Sequence, residues 1–339
     1  MTSFQLPSTF FPENAIKRAE LIYQQRSTKK PRTWRRWVNT IAKWLTITLV
    51  IIFIATLILS SITQRDPTPI LRMLGPLPTL IVLFTLFYDL SLMFRTISLG
   101  ANSISREREG QTWEMLVLTG INARQIVRGK WWATVQRQFP RYLMLSFIRS
   151  GASAAAAFSL ISSYYYVGSN YYTVWMQLPH VLMIPLALAL GVVLTIANLG
   201  LSAACGIMGS AVSKRSSMAV ARGVANQVVL TFVPAIAFFF LVTRLYFVSS
   251  RYDATWQSIY NFLGLGTASL IDNGFNLLTT PMYVRYQYYN GGSYSPIAPI
   301  EWDWLAAAFL TLAWYVLLTW FALWRAEKRA VKALATPVS

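Results

Sequence analysis

Between Ser150 and Ser213 the chain carries no Asp, Glu, Lys or Arg. The stretch exceeds twice the roughly 20 apolar residues that carry a helix across about 30 Å of hydrocarbon. It therefore predicts two membrane crossings joined by a turn. The turn falls near Tyr164 to Trp175, where five tyrosines and a tryptophan gather as they do at membrane interfaces. Inside hydrocarbon every backbone amide must find its partner within the protein, so apolar runs of this length are read as helices. A barrel would need strict alternation, which is absent.

The same criterion places spans at 45–63, 73–94, 142–163, 180–212, 223–243 and 304–324, giving an all-α integral membrane protein with six transmembrane helices. Pro76 and Pro78 are expected to kink the second span near its outer end. Only 12% of the chain is charged, against about 25% in soluble proteins. The net charge of +18 would suit a nucleic-acid binder if it formed one face of a soluble domain, but the basic residues lie between apolar runs. No nucleic-acid partner is expected. With the N-terminus inside, segment 1–44 holds nine basic residues, 95–141 eight, 213–222 three and 325–339 four, against five on the other side. That asymmetry predicts that both termini are cytoplasmic and that the chain is integral to the cell (inner) membrane. The first forty residues are polar and basic, so the first span is expected to remain as an anchor.

Chemistry-bearing residues are sparse. Cys205 lies in an apolar run and reads as a core residue, and His180 is the one histidine, placed at an interface. Neither a metal-ligand spacing nor a nucleophile-base pair is present, and no Gly-x-x-x-x-Gly-Lys-Ser/Thr loop exists to cradle ATP. An enzyme is not expected, and no catalytic, cofactor or metal residue is assigned. Arg149 is expected to snorkel to the inner interface and Asp89 to pair with Lys43. The small residues Ser150 to Ala157 suit close helix packing. Segment 249–303 should be external, with Ile259 to Ile271 too short to cross and suited to a re-entrant or interfacial helix. Tyr283 to Tyr294 should lie at the outer headgroups.

Two stretches at the basic side have helical signatures. Asn14 to Arg26 places Ala15, Ile16, Ala19, Ile22 and Tyr23 on one side, and the cations after it also suit an anionic-lipid anchor. In the loop 95–141, Thr112 is placed to cap a short helix carrying Trp113, Leu116 and Val117, with Gly120 ending it. Asn122 followed by Gln125 resembles a capping box opening a second helix toward span three.

The order of residues in that loop resembles the coupling region of the ABC-2 type transporter permeases. The match lies at Arg106, Glu107, Glu109, Thr112, Glu114, Leu116, Thr119, Gly129 and Lys130, and departs at Gly120, where that family usually has proline. The N-terminal amphipathic stretch resembles the family's in-plane connecting helix, and Gly209 to Ala219 its second cytoplasmic turn. The resemblance implies a single permease domain over 1–339 that forms the substrate path of an exporter. It implies a second permease subunit in a homo- or heterodimer, and a separate ABC ATPase subunit carrying ATP and magnesium. It also implies a docking surface at Glu107, Arg108, Glu109, Trp113 and Glu114. The competing expectation is a non-transporting scaffold subunit of a larger membrane complex.

Overall fold

The computed structural model describes residues 15–26, helical residues scattered from 40 to 59, 77–110, 112, 121–165, 175–177, 183–213, 215–249, 285–287, 289–290, 293–294 and 301–335. In chain order these form α1 (Ala15–Arg26), α2 (Leu77–Glu109), α3 (Ala123–Tyr165), β1 (Trp175–Gln177), α4 (Met183–Val212) and α5 (Ser216–Ser249). There follow β2 (Arg285–Gln287), β3 (Tyr289–Asn290), β4 (Ser293–Tyr294) and α6 (Glu301–Ala335). Among the described residues four helical stretches are long and apolar enough to cross a bilayer: Leu80–Glu109, Pro185–Val212, Ser216–Ala237 and Leu305–Val331. They overlap the expected second, fourth, fifth and sixth spans, and they make this a helical membrane protein.

Seven hydroxyl side chains in α2 to α6 are satisfied within their own helix. Thr85, Thr96, Ser105, Ser150, Thr195, Thr231 and Thr311 each donate to the carbonyl four residues back, at 2.7 to 2.9 Å. That local bond lets a hydroxyl sit in apolar surroundings at little cost. Thr48 and Thr56 do the same in the expected first span. α3 runs helically through the expected third span. His180, Lys43, segment 259–271 and most of 249–303 lie outside the described residues.

α4 is the hub. It packs against α2, α3, α5 and α6. Half of its apolar window is buried within the protein, against about a third or less for the other three stretches. Small residues permit this. A Cβ on Gly206 would lie 2.5 Å from the Ile97 carbonyl oxygen of α2. One on Gly209 would lie 2.5 Å from the Ala219 carbonyl oxygen of α5. On the facing helices, a Cβ on Gly100 would meet the Ala203 carbonyl oxygen at 2.9 Å, and one on Gly223 the Ile97 side chain at 2.7 Å. Backbones therefore touch where α2, α4 and α5 meet, which is the means by which helices associate when lipid removes the hydrophobic drive. Cys205 is buried in this contact as expected.

At the opposite end from the basic residues, β1 pairs antiparallel with β2, Trp175 opposite Gln287 and Gln177 opposite Arg285, while β3 and β4 form a second short pair. The connection between α3 and α4 thus lies on the same side as the segment preceding α6. These pairings were not expected from the sequence.

Four expectations need correction. α2 begins at Leu77, so Pro78 occupies its first turn, where a missing amide proton costs nothing, and does not kink the span from within. In segment 95–141, Arg106 to Glu109 do not precede a separate helix but end α2, which runs on to Glu109, and α3 starts at Ala123. Arg149 does not snorkel; it is 1% exposed, and its Nη1 donates to Thr195 Oγ1 at 3.4 Å. Its position on α3 faces α4, so the guanidinium is held between helices. On α1 the inward residues are Ile16, Lys17 and Glu20, whereas Ile22 and Tyr23 are 46% and 45% exposed. Glu20 turns inward to Lys130 and Arg106, and Ile16 joins the apolar cluster beneath them.

Candidate functional site

The titratable residues of the described chain converge at the basic end, where α1, the end of α2 and the start of α3 meet. α3 starts there because Asn122 caps it: its Oδ1 accepts from the Arg124 amide at 3.0 Å, and its carbonyl accepts from the amides of Gln125 and Ile126. Two turns later Lys130 points into the interior and is fully buried. Its ammonium donates to the Ser103 carbonyl at 2.6 Å and pairs with Glu107 Oε1 at 2.5 Å. Glu20 Oε2 of α1 lies 3.6 Å away on another side. Glu20 also receives Arg106 at 3.5 Å, and the Arg106 guanidinium lies 3.4 Å from the centroid of the Tyr23 ring. Two cations and two carboxylates thus neutralise each other in a site sealed below by Ile16, Ile104, Ile126, Val127 and Ile207.

A buried lysine costs several kcal/mol unless paired and hydrogen-bonded, and this one has both forms of compensation. Arg137, one helical stretch further along α3, is held below its ordinary pKa by burial and by the neighbouring Arg95, with Glu20 opposing the shift.

Two further polar clamps flank the site. Arg108 Nη1 donates to the Ala211 carbonyl at the end of α4 at 3.0 Å, and Arg222 Nη1 reaches the Val212 carbonyl at 3.3 Å and Ser213 Oγ at 3.2 Å. Those carbonyls have no intrahelical partner at a helix C-terminus, and cations suit that end. Glu109 Oε1 accepts from the Ser216 amide at 2.6 Å, so a carboxylate on α2 caps the start of α5. On the other flank, Glu327 of α6 receives Arg128 at 2.7 Å and Arg124 at 3.2 Å.

Of the residues expected at a docking surface, Glu107, Arg108 and Glu109 are thus placed together and bonded within the chain. Thr112 donates to the Glu107 carbonyl at 3.3 Å. Trp113 and Glu114 lie outside the described residues. Sequence reasoning missed Glu20, Glu327 and the central place of Lys130. A signal was available. The segments expected to be cytoplasmic hold six acidic residues among twenty-four basic ones, so each acid is in demand as a partner.

The arrangement can transmit force between helices and neutralise charge. Comparison with protein-family models yields no match, and comparison with curated proteins yields none either.

Proposed function

We propose that this chain is the membrane permease subunit of an ABC-2 type exporter, with six spans and both termini cytoplasmic. It pairs with a second permease subunit and docks a separate ATPase that binds ATP and magnesium. The observation that supports this reading is the Lys130, Glu107 and Glu20 node. It fastens α1, the end of α2 and the start of α3 into one base, and α2 and α3 are the two helices that the segment 110–122 joins. A push on that connection would move three helices together, as coupling to an ATPase requires. The helical residues between 40 and 59 and the run of α3 beyond residue 142 supply the two spans beyond the four apolar stretches.

Since Glu107, Arg108 and Glu109 hold the base, the partner's grip is assigned chiefly to Trp113 and Glu114. The inward use of those three residues is also what favours the second reading, a non-transporting scaffold subunit. The deciding experiment isolates the full chain with its natural partners. The exporter reading expects a soluble P-loop subunit whose ATP hydrolysis changes when it is reconstituted with this chain in liposomes. It also expects the variant pair Trp113→Ala and Glu114→Lys to lose that subunit while leaving the thermal unfolding of the isolated chain unchanged. Recovery of integral proteins alone, with no ATPase, would establish the scaffold instead.

A further inference from the structure

Near the basic end, α4, α5 and α6 enclose a half-open cavity of about 340 Å³. It lies on the far side of α6 from Glu327, whose carboxylate is turned to α3. Its polar rim is Arg222 and Asn226 of α5 with Arg325 and Arg329 of α6, and its wall includes Val229 and Phe321. No acidic residue lines it among the described residues. On α6, Phe321, Arg325 and Arg329 succeed each other at four-residue intervals, so one face runs from aromatic to cationic along the helix. The order on α5 runs the same way: Val229 is deepest, then Asn226, then Arg222.

The level of the cavity follows from where charge begins. The apolar run of α6 ends at Arg325, next to Trp320 and Trp324, which stack on each other with ring centroids 6.3 Å apart. The apolar run of α5 starts just after Arg222, and α4 ends at Val212. All three helices therefore cross from hydrocarbon to headgroup level at this cavity, with tryptophan placed as at membrane interfaces. Its apolar floor faces the acyl region and its three guanidinium groups face the headgroups. Arg222 is already oriented by its bonds to Val212 and Ser213. A guanidinium suits a phosphate because its planar fork matches the oxygens.

We propose that this cavity binds one anionic phospholipid, its phosphate between Arg222, Arg325 and Arg329 and its acyl chains along Val229 and Phe321. The shape is wrong for a soluble anion alone, because most of the lining would be left as bare apolar wall. Bound there, the lipid neutralises three cations that no acid on the cavity wall answers, and it cements α5 to α6 at a point where protein contact is incomplete. The proposal rests only on the membrane-spanning helices and is independent of the exporter reading.

The test uses the purified full chain in a neutral detergent, titrated with didecanoyl phosphatidylglycerol or didecanoyl phosphatidylcholine, with bound lipid counted by native mass spectrometry. Each cation near an anionic surface contributes roughly fivefold in affinity, so the Arg325→Gln/Arg329→Gln variant should lose about 30-fold in phosphatidylglycerol binding and retain phosphatidylcholine binding. Val229→Trp, which fills the wall without changing charge, should lower uptake of both lipids. Glycerol phosphate at the same concentration should not displace the lipid. A double variant that keeps its preference for phosphatidylglycerol overturns the proposal, as does unchanged uptake by Val229→Trp. Equal competition by glycerol phosphate would make the site one for a soluble anion and overturn the lipid assignment.

Discussion

Near the basic end two groups of helices that share only α2 are held together by opposite means. At the basic end α1, α2 and α3 are joined by a fully buried lysine between carboxylates on two other helices. Beside that node, α2, α4 and α5 are joined by the absence of side chains, glycine backbone lying against carbonyl oxygen. The difference teaches where each strategy is available. Where the helices enter the hydrocarbon, charges become expensive and the hydrophobic drive between helices is gone, so contact must come from close shape. At the membrane boundary water competes for every polar group, and an ion pair holds helices only if it is sealed from that water, as Lys130 is.

The comparison breaks first at Lys130. Lys130→Met leaves Glu107 buried without its cation and Glu20 with Arg106 alone, and should cost about 3–5 kcal/mol, read as a fall in thermal unfolding midpoint in detergent. Adding Glu107→Gln to that variant should recover part of the loss, as a pair bonded to each other requires; strictly additive losses would mean that the two residues do not interact.

Gly206→Val tests the other region. Its Cβ would lie 2.5 Å from a backbone oxygen, so the helices must separate, at about 1–3 kcal/mol. The sharpening control is Gly200→Ala, whose added Cβ has its nearest neighbour, Trp131 Cζ2, at 3.7 Å. There the change should be neutral or stabilising by up to about 1 kcal/mol, since alanine loses less backbone entropy than glycine in a helix. Equal damage at both positions would remove the case for close packing at the α2, α4 and α5 contact.

Glu109→Ala removes the carboxylate that caps α5 from a neighbouring helix, and should cost about 0.5–2 kcal/mol. Hydrogen exchange should show the loss concentrated at the first turn of α5, near Ser216; uniform loss along α5 would point to a cause other than the cap.

The smallest effect is expected at Arg124, whose side chain is 64% exposed beside Glu327. Arg124→Ala should change stability by less than about 1 kcal/mol, and the difference should shrink in high salt because exposed pairs are screened. A larger, salt-independent loss would place this pair with the buried node.

Much of the fold was legible in the sequence for a definite reason. An apolar run of span length has few ways to satisfy its amides, so α2, α4, α5 and α6 could be drawn from hydropathy, and the start of α3 from Asn122, whose side chain acts on its own neighbours. Cys205 could be placed in the core because an apolar run surrounds it. The polar contacts were much less legible. Glu107, Arg108 and Glu109 were expected at a docking surface, yet Glu107 turns to a lysine 23 positions later and Glu109 to the start of α5. Charge counts show that acids are scarce but not which cation each one meets.

By itself the sequence determined which segments are helical and apolar, and that basic residues gather at one end, because those properties follow from local composition and the cost of leaving amides unpaired in lipid. Only the tertiary structure decided which face of α1 turns inward, that Arg149 is held between helices, and that Lys130 has Glu107 and Glu20 as partners. Those outcomes depend on the rotation of each helix about its axis. That rotation is set by glycine contacts and ion pairs between residues far apart in the chain, which no local pattern encodes.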